Sequence, residues 1–316
     1  LGGFDQFTWI TTGYIVASTT AIPIVGRLTD LYGRKPFYLA GISVFLIGSV
    51  LCGFSQNMGQ LIAFRTFQGL GGGTLMALAF VTVGDLFQPA ERGKYQGLIA
   101  GVFGISSLIG PTLGGFITDT FTWHWIFFIN LPIGIPVGLL FLKFFPVQHQ
   151  TSSQKGLDVH GMILLTLSIV PVLIALSMAG VQYEWTSPQI IVPLVVSSIA
   201  MPLFFIVELR SSSPIMPLHI YKSRIVSLSM VVVFCTGFGM FGSFVFIPLF
   251  FQGALGASPT SSGSFLTPMM LSMVLGSALW GQALSRLGGH YRILGIIGLT
   301  IMGIGVFLLA NISRQT

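Results

Sequence analysis

Apolar runs of roughly 18 to 24 residues recur along the whole chain, each closed by polar or turn-forming residues. Ten such runs stand at about 9–27, 37–54, 60–80, 96–118, 123–143, 160–179, 189–207, 225–250, 262–284 and 292–310. Each has the length of a helix crossing a hydrocarbon core ~30 Å thick. The longest connections run from Phe144 to Val159 and from Glu208 to Arg224, so no soluble domain fits between the spans. Alternate connections carry opposite loads. Arg27, Arg34, Lys35, Arg92, Lys94, Lys143, Lys155, Arg210, Lys222, Arg224, Arg286 and Arg292 gather on one side, which is 12 of the 14 cations. Arg314 falls on the other side and Arg65 inside a span. A cation excess marks the cytoplasmic face, so residues 1–8 and 311–316 are expected outside.

Composition agrees with the pattern. The chain is 53% hydrophobic and 7% charged, against about a quarter charged in an ordinary soluble domain. The net charge of +6 is therefore a loop bias and not a nucleic-acid-binding face. The fold class expected is an all-α polytopic protein of the plasma or inner membrane, with the lipid bilayer as its surroundings. Cys52 and Cys235 both lie in apolar runs and are read as neither disulfide partners nor metal ligands. Neither a metal nor a cofactor is expected. The acids Asp5, Asp30, Asp85, Glu91, Asp119, Asp158, Glu184 and Glu208 all fall at span ends or in loops, so no buried carboxylate is expected. The chain begins at Leu1 with no signal peptide and reads as part of a longer protein.

Against this sparse charge, residues Gly26 to Pro36 pack three cations and one carboxylate between two spans, and predict a short cytoplasmic loop. Arg65 lies within the third run, where a charge costs roughly 2.5–3.5 kcal/mol on insertion scales. Either it serves a function there, or it snorkels to the interface from a span that starts near Gly59. The fourth run contains Ser106-Ser107-Leu108-Ile109-Gly110-Pro111-Thr112-Leu113-Gly114-Gly115, where Pro111 removes a helix hydrogen bond and the glycines permit close packing. No H-E-x-x-H, G-x-S-x-G or Walker A pattern occurs, so nothing points to an enzyme or an ATP-driven pump.

Taken together these motifs resemble the major facilitator superfamily. The G-x-L-x-D-x-x-G-R-K signature is met by Gly26, Leu28, Asp30, Gly33, Arg34 and Lys35, with Thr29 where a smaller residue is usual. The resemblance implies a cytoplasmic latch in which Asp30 faces a helix N-terminus of the opposite half and Arg34 pairs with Asp85. Arg65, Gln68 and Gly69 match an R-x-x-Q-G pattern linked to proton transfer. Gly110, Pro111, Gly114 and Gly115 match the antiporter motif of the family's exporters, with Ser106 replacing a glycine. Trp9 and Tyr14, and the segment from Trp123 to Pro132, resemble the multidrug exporters, although His124 stands where an arginine is usual.

The spacing of Gly26, Asp30 and Gly33 returns as Gly281, Ser285 and Gly288, with Arg286 between, which reads as a second copy of the latch. Its position implies two helices inserted between the halves, as in the fourteen-helix drug:proton antiporters of the EmrB/QacA type. The first helix and the last three would then lie outside this chain. Residues 1–145 are expected to form the N-terminal half-bundle, 146–210 the inserted helices and 211–316 the start of the C-terminal half. The resemblance implies a monomer that exchanges protons for lipophilic or cationic small molecules by alternating access. Other readings are an exporter of one metabolite, siderophore or antibiotic, and a receptor or scaffold that transports nothing. With no carboxylate buried, the segment alone is not expected to couple protons to transport.

Overall fold

A computed structural model describes residues 6–146, 156–255, 266–286 and 291–310; Asp5, Lys155, Gly288 and Arg314 lie outside the described residues. Helices follow one another throughout: α1 Phe7–Tyr32, α2 Arg34–Gly53, α3 Met58–Leu86, α4 Pro89–Thr120, α5 Trp125–Phe128, α6 Asn130–Phe144, α7 Val159–Met178 and α8 Pro188–Arg210. A short 3-10 turn, Leu218–Lys222, leads to α9 Arg224–Leu255, α10 Leu266–Arg286 and α11 Tyr291–Ala310. Each of the ten apolar runs becomes one helical passage, the fifth being α5 and α6 broken only at Ile129. Among the described residues, eight passages are long and apolar enough to cross a membrane.

The eleven-residue loop expected at Gly26–Pro36 is not a loop. Helix α1 continues to Tyr32 and α2 starts at Arg34, leaving Gly33 as the one residue outside both. Loss of apolar character ends a membrane span, but it does not end a helix. What ends α1 is the backbone of Gly33, at φ 87° and ψ 160°, a region open almost only to glycine. The Gly33 N–H donates to the Thr29 carbonyl at 3.0 Å, and the Thr29 hydroxyl donates to the Gly26 carbonyl at 2.8 Å. Pro36 sits in the first turn of α2, where a helix has no use for its missing N–H. A Gly33→Ala variant is expected to lose about 1–3 kcal/mol of stability. Its thermal midpoint in detergent should fall accordingly; an unchanged midpoint would contradict the strain argument.

The helices form two compact units. One comprises Leu1–Val81 and Phe116–Ile220, the other Thr82–Gly115 and Tyr221–Thr316. In the first unit α5 and α6 pack on α2, and α7 packs on both α8 and α1. The Tyr38 ring of α2 packs at a tilt against Phe141 and Phe145, with ring centroids 4.5 and 5.2 Å away. The α7–α8 pair buries Ala175 and Ile190 completely against Ala179, Met178 and Leu194. In the second unit α4 lies so close to α10 that a Cβ on Gly97 would stand 2.6 Å from the Ser277 carbonyl oxygen. A Cβ on Gly281 would likewise stand 2.7 Å from the Gly93 carbonyl oxygen.

One expectation fails in the first unit. Glu208, two residues from the end of α8, is 3% exposed and not solvated. The chain beyond Arg210 doubles back over it, and the Met216 N–H donates to its Oε1. A carboxylate is therefore buried in this chain.

Candidate functional site

The charged residue of the third span turns inward. Arg65 lies seven residues into α3, about 10 Å along its axis. Its guanidinium sits over the Tyr14 ring of α1 at 4.5 Å from the centroid, with the Phe127 ring of α5 at 5.8 Å. Arg65 Nη1 donates to Gln68 Oε1 at 2.8 Å, one turn along the same helix. That bond fixes the orientation of the Gln68 amide, whose Nε2 then donates to Ser49 Oγ of α2 at 2.5 Å. Ser49 Oγ also accepts from Asn130 Nδ2, the first residue of α6, at 2.9 Å. Three helices, α3, α2 and α6, are thus joined through one polar chain, in which Gln68 is 1% exposed and Ser49 fully buried. The snorkelling alternative is set aside, because the side chain reaches its partners within the helix bundle.

Close backbone approach makes this possible. A Cβ on Gly69 would stand 2.5 Å from the Tyr14 carbonyl oxygen, so α1 touches α3 at the turn that follows Arg65. A Cβ on Gly71 would stand 2.5 Å from the Phe45 nitrogen, which brings α2 equally close on another face. The glycine run after Gln68 is a three-helix packing surface.

Chemically, the cluster holds a fixed positive charge in a half-buried place at the head of the Gln68–Ser49–Asn130 chain. A guanidinium does not release its proton, so Arg65 can stabilise a nearby anion or repel a cation but cannot itself carry protons. Among the described residues, no three His, Cys, Asp or Glu side chains gather as a metal site would require. Cys52 and Cys235 are both free thiols.

The remaining predicted positions are dispersed. Arg34 Nη2 lies 3.8 Å from Asp30 Oδ1, one turn apart across the Gly33 joint. Asp85 is at the end of α3 in the second unit, and Lys35 opens α2. Gly110, Pro111, Gly114 and Gly115 lie within α4, and a Cβ on any of the three glycines meets nothing within 4 Å among the described residues. Gly26 is equally open. Gly281 and Arg286 belong to α10, while Gly288 lies outside the described residues. Trp123 stacks on His124 at 3.8 Å, and His124 Nδ1 is 3.2 Å from Thr122 Oγ1.

Sequence reasoning singled out Arg65, Gln68 and Gly69 but not Ser49, and gave no polar role to Tyr14, Phe127 or Asn130. The available signal was a serine interrupting the apolar run of α2.

Comparison with known proteins agrees with this architecture. The family model described as Major Facilitator Superfamily matches residues 1–315. Multidrug resistance protein 3 of Bacillus subtilis (strain 168) is 42% identical over 316 residues, covering 100% of this chain and 61% of that protein. Multidrug transporter protein MdtP of the same strain is 39% identical, covering 100% of this chain and 58% of that protein. Efflux pump dotC of Dothistroma septosporum is 34% identical over 310 residues, covering 96% and 53%. The chain spans about three-fifths of the length of the two bacterial relatives. With the family model matched over 315 of 316 residues and helices filling nearly all of the described chain, the protein belongs to the Major Facilitator Superfamily.

Proposed function

We propose that this chain is the central part of a proton-coupled multidrug exporter of the fourteen-helix type, working by alternating access as a monomer. The observation that carries the reading is the Arg65–Gln68–Ser49–Asn130 chain under the Tyr14 ring, a costly charge kept inside a helix bundle by one side-chain hydrogen bond and a cation–π contact. A half-buried arginine within a membrane span marks a functional site by default. In this reading Arg65 tunes a proton-carrying acid. Gly110, Pro111, Gly114 and Gly115 keep the fourth span leak-tight. The latch is Gly26, Asp30, Gly33, Arg34, Lys35 and Asp85, with a second copy at Gly281, Arg286 and Gly288. The halves are 1–145 and 211–316, with 146–210 inserted between them. The multidrug and efflux-pump names of the relatives support small, chemically varied substrates.

The complete protein in proteoliposomes under an imposed pH gradient tests this. Uphill movement of ethidium and of chemically unrelated lipophilic cations, abolished by a protonophore, is expected. Movement of a single metabolite alone would favour a dedicated exporter. Absence of any flux would favour a receptor or scaffold.

A further inference from the structure

The far end of the polar chain is the joint between α5 and α6. Within four residues that joint makes three separate contacts. The Phe127 ring faces the Arg65 guanidinium at 5.8 Å. The Phe128 ring lies where a Cβ on Gly53 would stand, and meets the Phe54 ring edge-on at 5.3 Å, so the joint rests on the end of α2. Asn130, the first residue of α6, donates from Nδ2 to Ser49 Oγ at 2.9 Å. Beyond it α6 stays against α2, since a Cβ on Gly134 would stand 2.5 Å from Leu46 Cδ2.

Ser49 is where two donors converge. A hydroxyl oxygen offers two lone pairs, and here Gln68 Nε2 takes one and Asn130 Nδ2 the other. The serine is fully buried, so solvent does not compete for either. Backbone contact sets the spacing: a Cβ on Gly48 would stand 2.7 Å from both Cα and Cβ of Gln68. Gln68 is thus held at its Nε2, and the Oε1 of the same amide receives the Arg65 N–H. Arg65 Nε is buried without a partner among the described residues, so the guanidinium is aimed by the Gln68 bond and by the Tyr14 and Phe127 rings. Hydrogen bonds in such a chain polarise one another, and the cation at its head strengthens the first of them. A shift of the joint therefore reaches the guanidinium by two routes, through Asn130 and through Phe127.

We propose that Asn130 is a positioning residue for Arg65, acting through Ser49 and Gln68, so that movement of the α5–α6 joint against α2 re-aims the guanidinium during transport. The role in transport rests on the transporter reading above; the relay itself rests on the geometry.

The test uses the complete protein with 3-fluorotyrosine incorporated at Tyr14, whose ring lies 4.5 Å from the guanidinium and belongs to a helix outside the relay. The fluorine resonance in Arg65→Ala marks the position for a ring without its cation. Asn130→Leu should move the parent resonance toward that position, and Ser49→Ala, which cuts the relay one link earlier, should move it the same way. Leu46→Ala loosens the α2–α6 contact without touching the polar chain and should leave it in place. A resonance unmoved in Asn130→Leu and Ser49→Ala, or moved equally by Leu46→Ala, overturns the relay. If Asn130→Leu cannot be purified as a monodisperse species, Ser49→Ala decides alone. Ethidium efflux is measured on the same variants. Asn130→Leu should lower the maximal rate roughly fivefold or more with little change in KM, and should lower it no further when Arg65→Ala is already present. Losses that multiply in the double variant, or wild-type efflux despite a moved resonance, overturn the positioning role. A resonance that follows the relay in a protein whose parent moves no drug would sink the transporter reading and spare the relay. Intact parent efflux with an unresponsive resonance would do the reverse.

Discussion

Arg65→Ala in the complete protein should cut drug efflux by roughly tenfold or more while leaving the fold close to normal. Two opposing terms make the stability change small. The substitution removes the cost of keeping a charge out of water, and it also removes a cation–π contact worth about 0.5–2 kcal/mol and a charge-assisted hydrogen bond worth about 1.5–3 kcal/mol. Gln68 keeps its bond to Ser49 and loses one donor. Transport has no such compensation, because the fixed field is gone. Loss of a single interaction of about 1.4 kcal/mol during the cycle already amounts to about tenfold in rate. Arg65→Lys should recover little, since an ammonium neither stacks flat on Tyr14 nor presents a planar fork to Gln68. Ethidium efflux from loaded cells at matched expression checks this, and wild-type rates in Arg65→Ala would remove the site from the mechanism.

Gly69→Val is expected to act on assembly instead. The first carbon added at Gly69 lies 2.5 Å from the Tyr14 carbonyl oxygen and 3.0 Å from its Cα, and neither backbone atom can swing aside. Overpacking of a core ordinarily costs about 1–3 kcal/mol, and here α1 itself must retreat, carrying the Tyr14 ring away from Arg65. The monodisperse yield and thermal midpoint in detergent should both drop sharply. Gly114→Ala is the matched control: its added carbon meets open space among the described residues, and alanine gains roughly 0.5–1 kcal/mol in a helix interior. A Gly69→Val protein melting with the wild type would show that α1 and α3 are not in backbone contact.

The helical passages were legible because each rests on a local property, a run of apolar residues long enough for a bilayer. Helix ends were less legible: α1 and α3 run five or six residues past their apolar runs because polar residues at the water boundary still hydrogen-bond as helix. Arg65 and Gln68 could be found from a short pattern on one helix. Ser49 and Asn130 could not, since they lie 19 residues before Gln68 and 81 residues beyond Ser49 respectively, and the serines that interrupt the apolar run of α2, Ser43 and Ser49, do not by themselves name a partner. Glu208 was misjudged for a similar reason. An acid near a helix end is usually solvated, and its burial depends on the path of a later segment containing Pro214 and Pro217.

The joint at Gly33 also sets a phase relation. Where two helices are separated by a flexible loop, an added residue is absorbed by slack. Here one helix stops and the next starts across a single residue, so the rotational setting of α2 is inherited from α1. Each residue added within the first turn of α2 would advance the rest of that helix by about 100° relative to the joint. Ser49 and Gly48 would then turn away from Gln68, and Tyr38 from Phe141. The length of this connection is as much a determinant of the polar chain as the residues that compose it.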